Sequence, residues 1–294
     1  MEQFLQATVN GLLQGSLYAL VAVGFSVIWG VMHVVNIAHG AFVIVGAYIA
    51  WQLNSAMGID PLIGMFAAGA VLFVMGYAVQ RGLINLVINA PVWMTLLLTF
   101  GIELLLVNGL ILIYSGDYRS IPTSYASKGL AIGDVHIPFG RLIGLVLAVA
   151  FTLLLVSFMS RTKTGQAIMA TGMDRSTARL MGIDIRHIYA LTFGIALALG
   201  GVAGAMIGTV TTFSPVAAGS FTLRSFVIAV LGGLGNMWGA LAGGLLLGVV
   251  EAWGGQYLSG TLVNAIAFGV LVLVLIVRPS GLLGRPFFGA QAPA

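Results

Sequence analysis

The sequence predicts an all-α polytopic integral membrane protein, a bundle of about seven to nine transmembrane helices that includes one glycine-broken re-entrant or hairpin segment. Three observations predict it. The 294 residues are 60% hydrophobic and only 7% charged, with a mean hydropathy of +1.08, which excludes a soluble globular domain. Apolar runs of about 20 residues, the length that crosses a hydrocarbon core, recur along nearly the whole chain. Forty-one glycines suit helices packed backbone to backbone in a membrane.

Each element follows in order. Apolar spans are expected at 8–30, 34–53, 61–80, 92–114, 139–160, 188–210 and 261–277. Between the last two lies the block 221–253, broken at "LGGLGNMWGALAGG", where Gly232, Gly233, Gly235 and Asn236 allow the chain to turn inside protein. A second break, "GVMHVVNIAHG", separates the first two spans. Interrupted segments in the two halves of a chain point to a translocation path. Glycines at four-residue spacing, Gly11 and Gly15, then Gly200, Gly204 and Gly208, then Gly235, Gly239 and Gly243, then Gly244 and Gly248, give small faces for close helix packing. Residues 1–294 read as a single transmembrane domain. The N-terminal stretch has Glu2 and no basic run, which argues against a cleaved signal peptide.

Basic residues set the orientation. Five of the twelve, Arg161, Lys163, Arg175, Arg179 and Arg186, fall in one polar island at 161–187. With Arg81, Arg278 and Arg285 they belong on the cytoplasmic side. The segment 115–138, whose charges Asp117, Arg119, Lys128 and Asp134 nearly cancel, is then outside. This count places the N-terminus outside and the C-terminus inside, provided that 221–253 begins and ends on the outer side. The island itself carries two short helix signals: Thr164 before a turn closed by Gly172, and Asp174 as N-cap before a turn closed by Gly182. It is either a docking element or a loop that only sets orientation.

Few ionisable groups fall within the apolar runs, and each costs about 2.5–3.5 kcal/mol on insertion scales. They are Glu103, Glu251, Arg224, and His33 and His39 at the first break. Thr95, Thr99 and Glu103 form a polar stripe that either lines a cavity or has hydroxyls that bond back to the helix while Glu103 is buried protonated or paired. Asn36, His39 and Gly40 share a face if helix follows Val35; Asn36 is then an N-cap or a ligand contact. Glu251 reads as a solvated residue at the outer interface. There is no paired-histidine metal motif, no GxSxG elbow and no GxxxxGK[ST] phosphate loop. No catalytic residue and no metal site is expected, no region is large enough to bind nucleic acid, and any ATP must be hydrolysed on another polypeptide. The absence of cysteine excludes disulfides and thiolate chemistry.

The strings "GLLQGSLYALVAVGFSVIWGVMHVVNIAHGAFVIVGAY", "TFGI", "YRSIP", "RTKTGQAIMATGMDRSTARLMGID", "VLGGLGNMWGALAGGLLLGVVE" and "RPSGLLG" occur in this order from Leu12 to Gly284. Together they resemble the permeases of branched-chain amino-acid ABC importers, the H-type subunit rather than its M-type partner. The resemblance implies a multi-pass protein of the bacterial inner membrane, with no cofactor of its own. Its partners would be a second permease, two cytoplasmic ATPases that use ATP and magnesium, a periplasmic substrate-binding protein and the lipid membrane. It makes the island a coupling helix, with Gly165, Asp174, Arg175, Ala178, Leu180 and Gly182 at matching positions. The expected cargo is a branched-chain or other hydrophobic, neutral amino acid, along a path for which Asn36, His39, Gly40, Thr95, Thr99 and Glu103 are the candidates. Alternatives are urea and short amides or aromatic carboxylates within the same family, and, outside it, a proton-coupled secondary transporter or a passive channel.

Overall fold

The computed structural model describes residues 2–88, 90–126, 128–132, 135–257 and 263–284. Asp134, Arg285 and Thr261, which enter the orientation and span expectations, lie outside the described residues. The chain folds as α1 (Glu2–Met32), α2 (His39–Met57), α3 (Pro61–Val79), a π turn (Gln80–Ile84) running into α4 (Asn85–Val87), and α5 (Val92–Tyr114). Then come β1 (Gly129–Ile132), β2 (Val135–Pro138), α6 (Phe139–Arg161), α7 (Lys163–Met173), α8 (Arg175–Leu180) and α9 (Ile185–Val210). A 3-10 turn (Pro215–Ala217) leads into α10 (Ala218–Gly232), followed by α11 (Met237–Tyr257) and α12 (Val263–Val277). Among the described residues, eight helices are long and apolar enough to cross a membrane.

The centre of the bundle is α1 and α9, whose apolar windows are 89% and 83% buried, against 17% for α5 and 28% for α6. Glycine explains the closeness of the contacts. A Cβ on Gly15 would lie 2.4 Å from the Gly244 carbonyl oxygen, and one on Gly248 would lie 2.3 Å from that of Gly11, so α1 and α11 touch backbone to backbone. Gly204 does the same for α9 against α2, 2.0 Å from the Val43 carbonyl oxygen. The glycine stripes are therefore packing faces. Gly235 is an exception to its stripe: it has φ +83° and sits in the turn before α11, with Gly233 at φ +104°. That turn, 233–236, folds α10 back against α11.

The two ends of the bundle differ in character. At one end β1 and β2 pair antiparallel, Leu130 opposite Ile137, a small departure from an all-α chain where Val135 and Ile137 favour extended backbone. Gln6 ties α1 to this hairpin by donating to the His136 carbonyl at 2.9 Å and accepting from its N–H at 2.7 Å. Beside it Arg119 and Phe213 exchange both backbone hydrogen bonds at 2.8 Å. The Arg119 guanidinium lies 4.2 Å from the centre of the Trp51 ring, within a cluster that includes Tyr48, Tyr114 and Phe213. At the opposite end lie Met32, α7 and α8, with Met32 and Thr171 lining one cleft.

Candidate functional site: two helices that start together inside the bundle

α1 ends at Met32, and His33 follows with φ +55°, a left-handed turn for a residue with a side chain. The non-helical segment 33–38 then climbs back along α1. His39, the first residue of α2, reaches Val21, its Nε2 lying 3.0 Å from that residue's carbonyl oxygen. Val21 is about 16 Å of helix from Met32 at 1.5 Å per residue, so the non-helical segment 33–38 carries the chain back to that depth. α2 therefore starts in the middle of the bundle. α10 starts at the same place: a Cβ on Gly40 would fall 2.0 Å from the Ala218 carbonyl oxygen. From that point α2 runs towards the aromatic cluster, and α10 runs towards the 233–236 turn.

Backbone outside a helix or sheet leaves polar groups that need other partners. Two threonines supply the bonds. The Ile37 N–H donates to Thr99 Oγ1 at 3.3 Å, while the Thr222 hydroxyl donates to the Ile37 carbonyl at 2.8 Å and accepts the Gly40 N–H at 2.9 Å. The Thr99 hydroxyl has the Thr95, Leu96 and Val35 carbonyls within 3.0–3.4 Å for its own proton. Ile37 is thus clasped on both sides by hydroxyls from α5 and α10. Sequence reasoning misses Thr222, whose one signal is a hydroxyl within the glycine-broken block.

The remaining sequence candidates divide. Thr95 is buried and donates back to the Val92 carbonyl at 2.7 Å. Asn36 does not cap α2: the cap position is Ala38, without a side-chain bond, because the helix begins three residues later than expected. The Asn36 side chain is fully buried, and neither its Nδ2 nor its Oδ1 has a hydrogen-bond partner among the described residues; the same holds for His39 Nδ1. Glu103, one turn beyond Thr99 on α5, is half-buried beside Gly219, with Oε1 3.8 Å from where a Cβ there would sit. Glu251 is not a solvated interface residue. Its Oε1 accepts from Arg224 Nε at 3.0 Å, and Arg224 also lies 5.1 Å from the centre of the Tyr18 ring, so α10, α11 and α1 share one partly buried charge cluster.

The island folds as two capped helices. Thr162, rather than Thr164, caps α7 by accepting the Gly165 N–H at 3.0 Å, and α7 runs through Gly172 to Met173. A Cβ on Gly165 would lie 2.2 Å from the Phe158 carbonyl oxygen, so this glycine lets α7 fold tightly against the end of α6. Asp174 caps α8 as the sequence predicts: one carboxylate oxygen accepts from the Ser176 and Thr177 N–H groups at 2.8 and 3.3 Å and from the Ser176 hydroxyl at 2.5 Å, the other from the Thr177 hydroxyl at 2.5 Å. These bonds, those from Ser176 first, hold its carboxyl well below the usual carboxylate range. Gly182 closes the turn at φ +84°. Ala178 faces inward at 4% exposure, whereas Leu180 and Met181 stand out at 87% and 78%. Arg175 and Arg179 border the groove beside them.

A cleft of about 450 Å³ joins the island to the break. Its walls include His33 and Val34 from the 33–38 segment, Thr95 from α5, and Asp174 and Arg175 from the elbow between α7 and α8. One path candidate, Thr95, and two island candidates, Asp174 and Arg175, therefore meet in one cavity.

Residues 7–276 match the family model described as branched-chain amino acid transport system / permease component. The chain is similar to the high-affinity branched-chain amino acid transport system permease protein BraD of Pseudomonas aeruginosa, 34% identical with 96% of each chain covered. It is 32% identical to the corresponding LivH of Escherichia coli K12, again over 96% of each chain. The LivM permease of the same organism is 26% identical over 91% of this chain and 68% of its own length. No solved structure matches.

Proposed function

We propose, from the premise that this chain belongs to the branched-chain amino-acid transport permease family, that it is the H-type half of an importer's membrane pathway. It would carry branched-chain or other hydrophobic, neutral amino acids across the bacterial cytoplasmic membrane as one transmembrane domain. The relatives named for branched-chain amino-acid transport support that cargo, and likeness to both LivH and LivM proteins supports a pairing with a second, related permease. ATP and magnesium would be used by two cytoplasmic ATPase subunits, and a periplasmic binding protein would deliver the cargo.

The single observation that carries coupling is the cleft shared by the elbow Asp174–Arg175 and the 33–38 segment at His33 and Val34. An ATPase seated on Leu180, Met181 and the adjacent arginines would bear on the elbow, and the elbow borders the segment that Thr99 and Thr222 hold closed. Transport then needs two arrangements of that segment, and ATP biases one against the other through differential contacts at the island. Gly165, Asp174, Arg175, Ala178, Leu180 and Gly182 would form or support the docking element; Gly40, Thr95, Thr99 and Glu103 would border the route. Asn36 and His39 are fully buried and would meet cargo only after the segment moves.

Co-purification tests this reading. The chain is expressed with its genomic neighbours, and the eluate is assayed for ATP hydrolysis with and without liganded binding protein. Recovery of a second permease and ATPases, with hydrolysis raised by liganded binding protein, is expected. A chain that purifies alone and moves solute in liposomes without ATP would replace the reading with a carrier or channel.

A further inference from the structure

Glu103 is a carboxylate without an internal counter-charge. Of the eight acidic residues in the chain, it and Glu251 lie inside long apolar helices, and Glu251 is paired with Arg224. Among the described residues Glu103 makes no hydrogen bond and no ion pair. Elsewhere the outer faces of the bundle are apolar, as at Ile63 and Phe66 on α3, Val146 and Leu154 on α6, and Leu273 and Ile276 on α12. Those faces suit lipid, and a carboxylate does not. On α5 itself Leu105 is 76% exposed, and two residues along a helix is about 200° around it. Glu103 thus faces away from that lipid-suited side, towards the start of α10.

The neighbouring surface is built to leave room. Gly219 has no side chain, and both it and Ser220 are exposed. One turn further along α5, about 6 Å, Thr99 closes on Ile37; one turn beyond that, Thr95 opens into the cleft at the island end. A solute resting against Glu103 sits directly in front of the clasped segment, on the side away from that cleft.

We propose that Glu103 holds the ammonium group of the transported amino acid in front of the closed segment, with Gly219 providing the space. This rests on the importer reading and deepens it: an unpaired carboxylate selects a solute with a cationic group, and it disfavours urea, amides and aromatic carboxylates as cargo. The apolar side chain of the solute would lie along the surrounding leucine-rich surface.

The test uses the full complex of permease pair and ATPases in proteoliposomes, in which this chain has no native cysteine. Ser220→Cys is treated from the outer side with cationic and anionic thiosulfonate reagents of matched size, with Glu103 intact and with Glu103→Gln. The cationic reagent should react about fivefold faster with Glu103 present than with Glu103→Gln, the factor for unit charges about 4 Å apart in water, the anionic reagent should react more slowly, and leucine with its binding protein should slow the cationic reaction. With Glu103→Gln the slowing by leucine should vanish. Equal reagent ratios in the two backgrounds, or no reaction at position 220, would overturn the proposal. In parallel, Glu103→Gln should lower leucine uptake at least tenfold while ATP hydrolysis still responds to binding protein, and Glu103→Asp should restore most of it. Absence of ATP-dependent uptake in the wild-type complex would refute the importer reading itself; wild-type uptake matched by Glu103→Gln would refute only the role of Glu103.

Discussion

Arg224 and Glu251 sit 27 positions apart on antiparallel arms and meet at 3.0 Å, Nε to Oε1, with side-chain exposures of 23% and 9%. The contact ties α10 to α11 inside an apolar bundle, where either charge alone would be costly. Arg224→Met should destabilise the protein by about 3 kcal/mol, at the low end for breaking a buried pair because Arg224 retains some exposure. Arg224→Met combined with Glu251→Leu should recover most of that loss. Thermal unfolding of the detergent-purified chain checks both, and a double variant as unstable as the single one would mean that the pair contributes more than mutual neutralisation.

The clasp on Ile37 gives a different signature. Thr222→Val keeps the shape but leaves the Ile37 carbonyl and the Gly40 N–H without their bonds, at a cost of about 1–3 kcal/mol for each buried group left unsatisfied. The closed arrangement loses this stabilisation, so solute leak without ATP should rise in proteoliposomes. Thr222→Ser should remain tight. A leak unchanged in Thr222→Val would place the barrier elsewhere.

Gly182 has φ +84°, and a Cβ added there would meet nothing within 4 Å. Space is not the constraint at this position; backbone conformation is. A valine at 182 must either accept the left-handed penalty of about 1–2 kcal/mol or unwind the end of α8. The Gly182→Val bundle should fold normally while binding protein ceases to stimulate ATP hydrolysis. Full stimulation in this variant would remove the island's turn from the coupling route.

Orientation can be read chemically. Ser124 lies at the end of the bundle that holds the β-hairpin, and Ser176 lies in the island at the other end; both are exposed. In intact cells an impermeant thiol reagent should label Ser124→Cys and spare Ser176→Cys. The reverse pattern would invert the molecule in the membrane.

The spans are legible in the sequence because about 20 apolar residues leave few alternatives in lipid, and the observed helices differ from expectation mainly at their ends. Asp174 and Gly182 are legible too, because caps and left-handed turns are local events encoded within four residues. The clasp is not. Thr99 and Thr222 lie far apart in the chain, and their shared target, Ile37, is an ordinary apolar residue whose role lies entirely in its backbone. Asn36 departs from expectation for a related reason. An N-cap is a local signal, but α2 begins only at His39, where Gly40 packs against Ala218, and the Asn36 side chain makes no cap bond. Glu251 reads as a lone charge because nothing in the sequence indicates that the 233–236 turn brings Arg224 beside it.

The cap on α8 also has a kinetic meaning. Both oxygens of the Asp174 carboxylate are already engaged by Ser176 and Thr177, and Ala178 anchors the turn inward while Leu180 and Met181 project. Under the docking reading, a partner would meet a shape formed in advance, so little ordering entropy would be lost on contact and association would not wait for the element to fold.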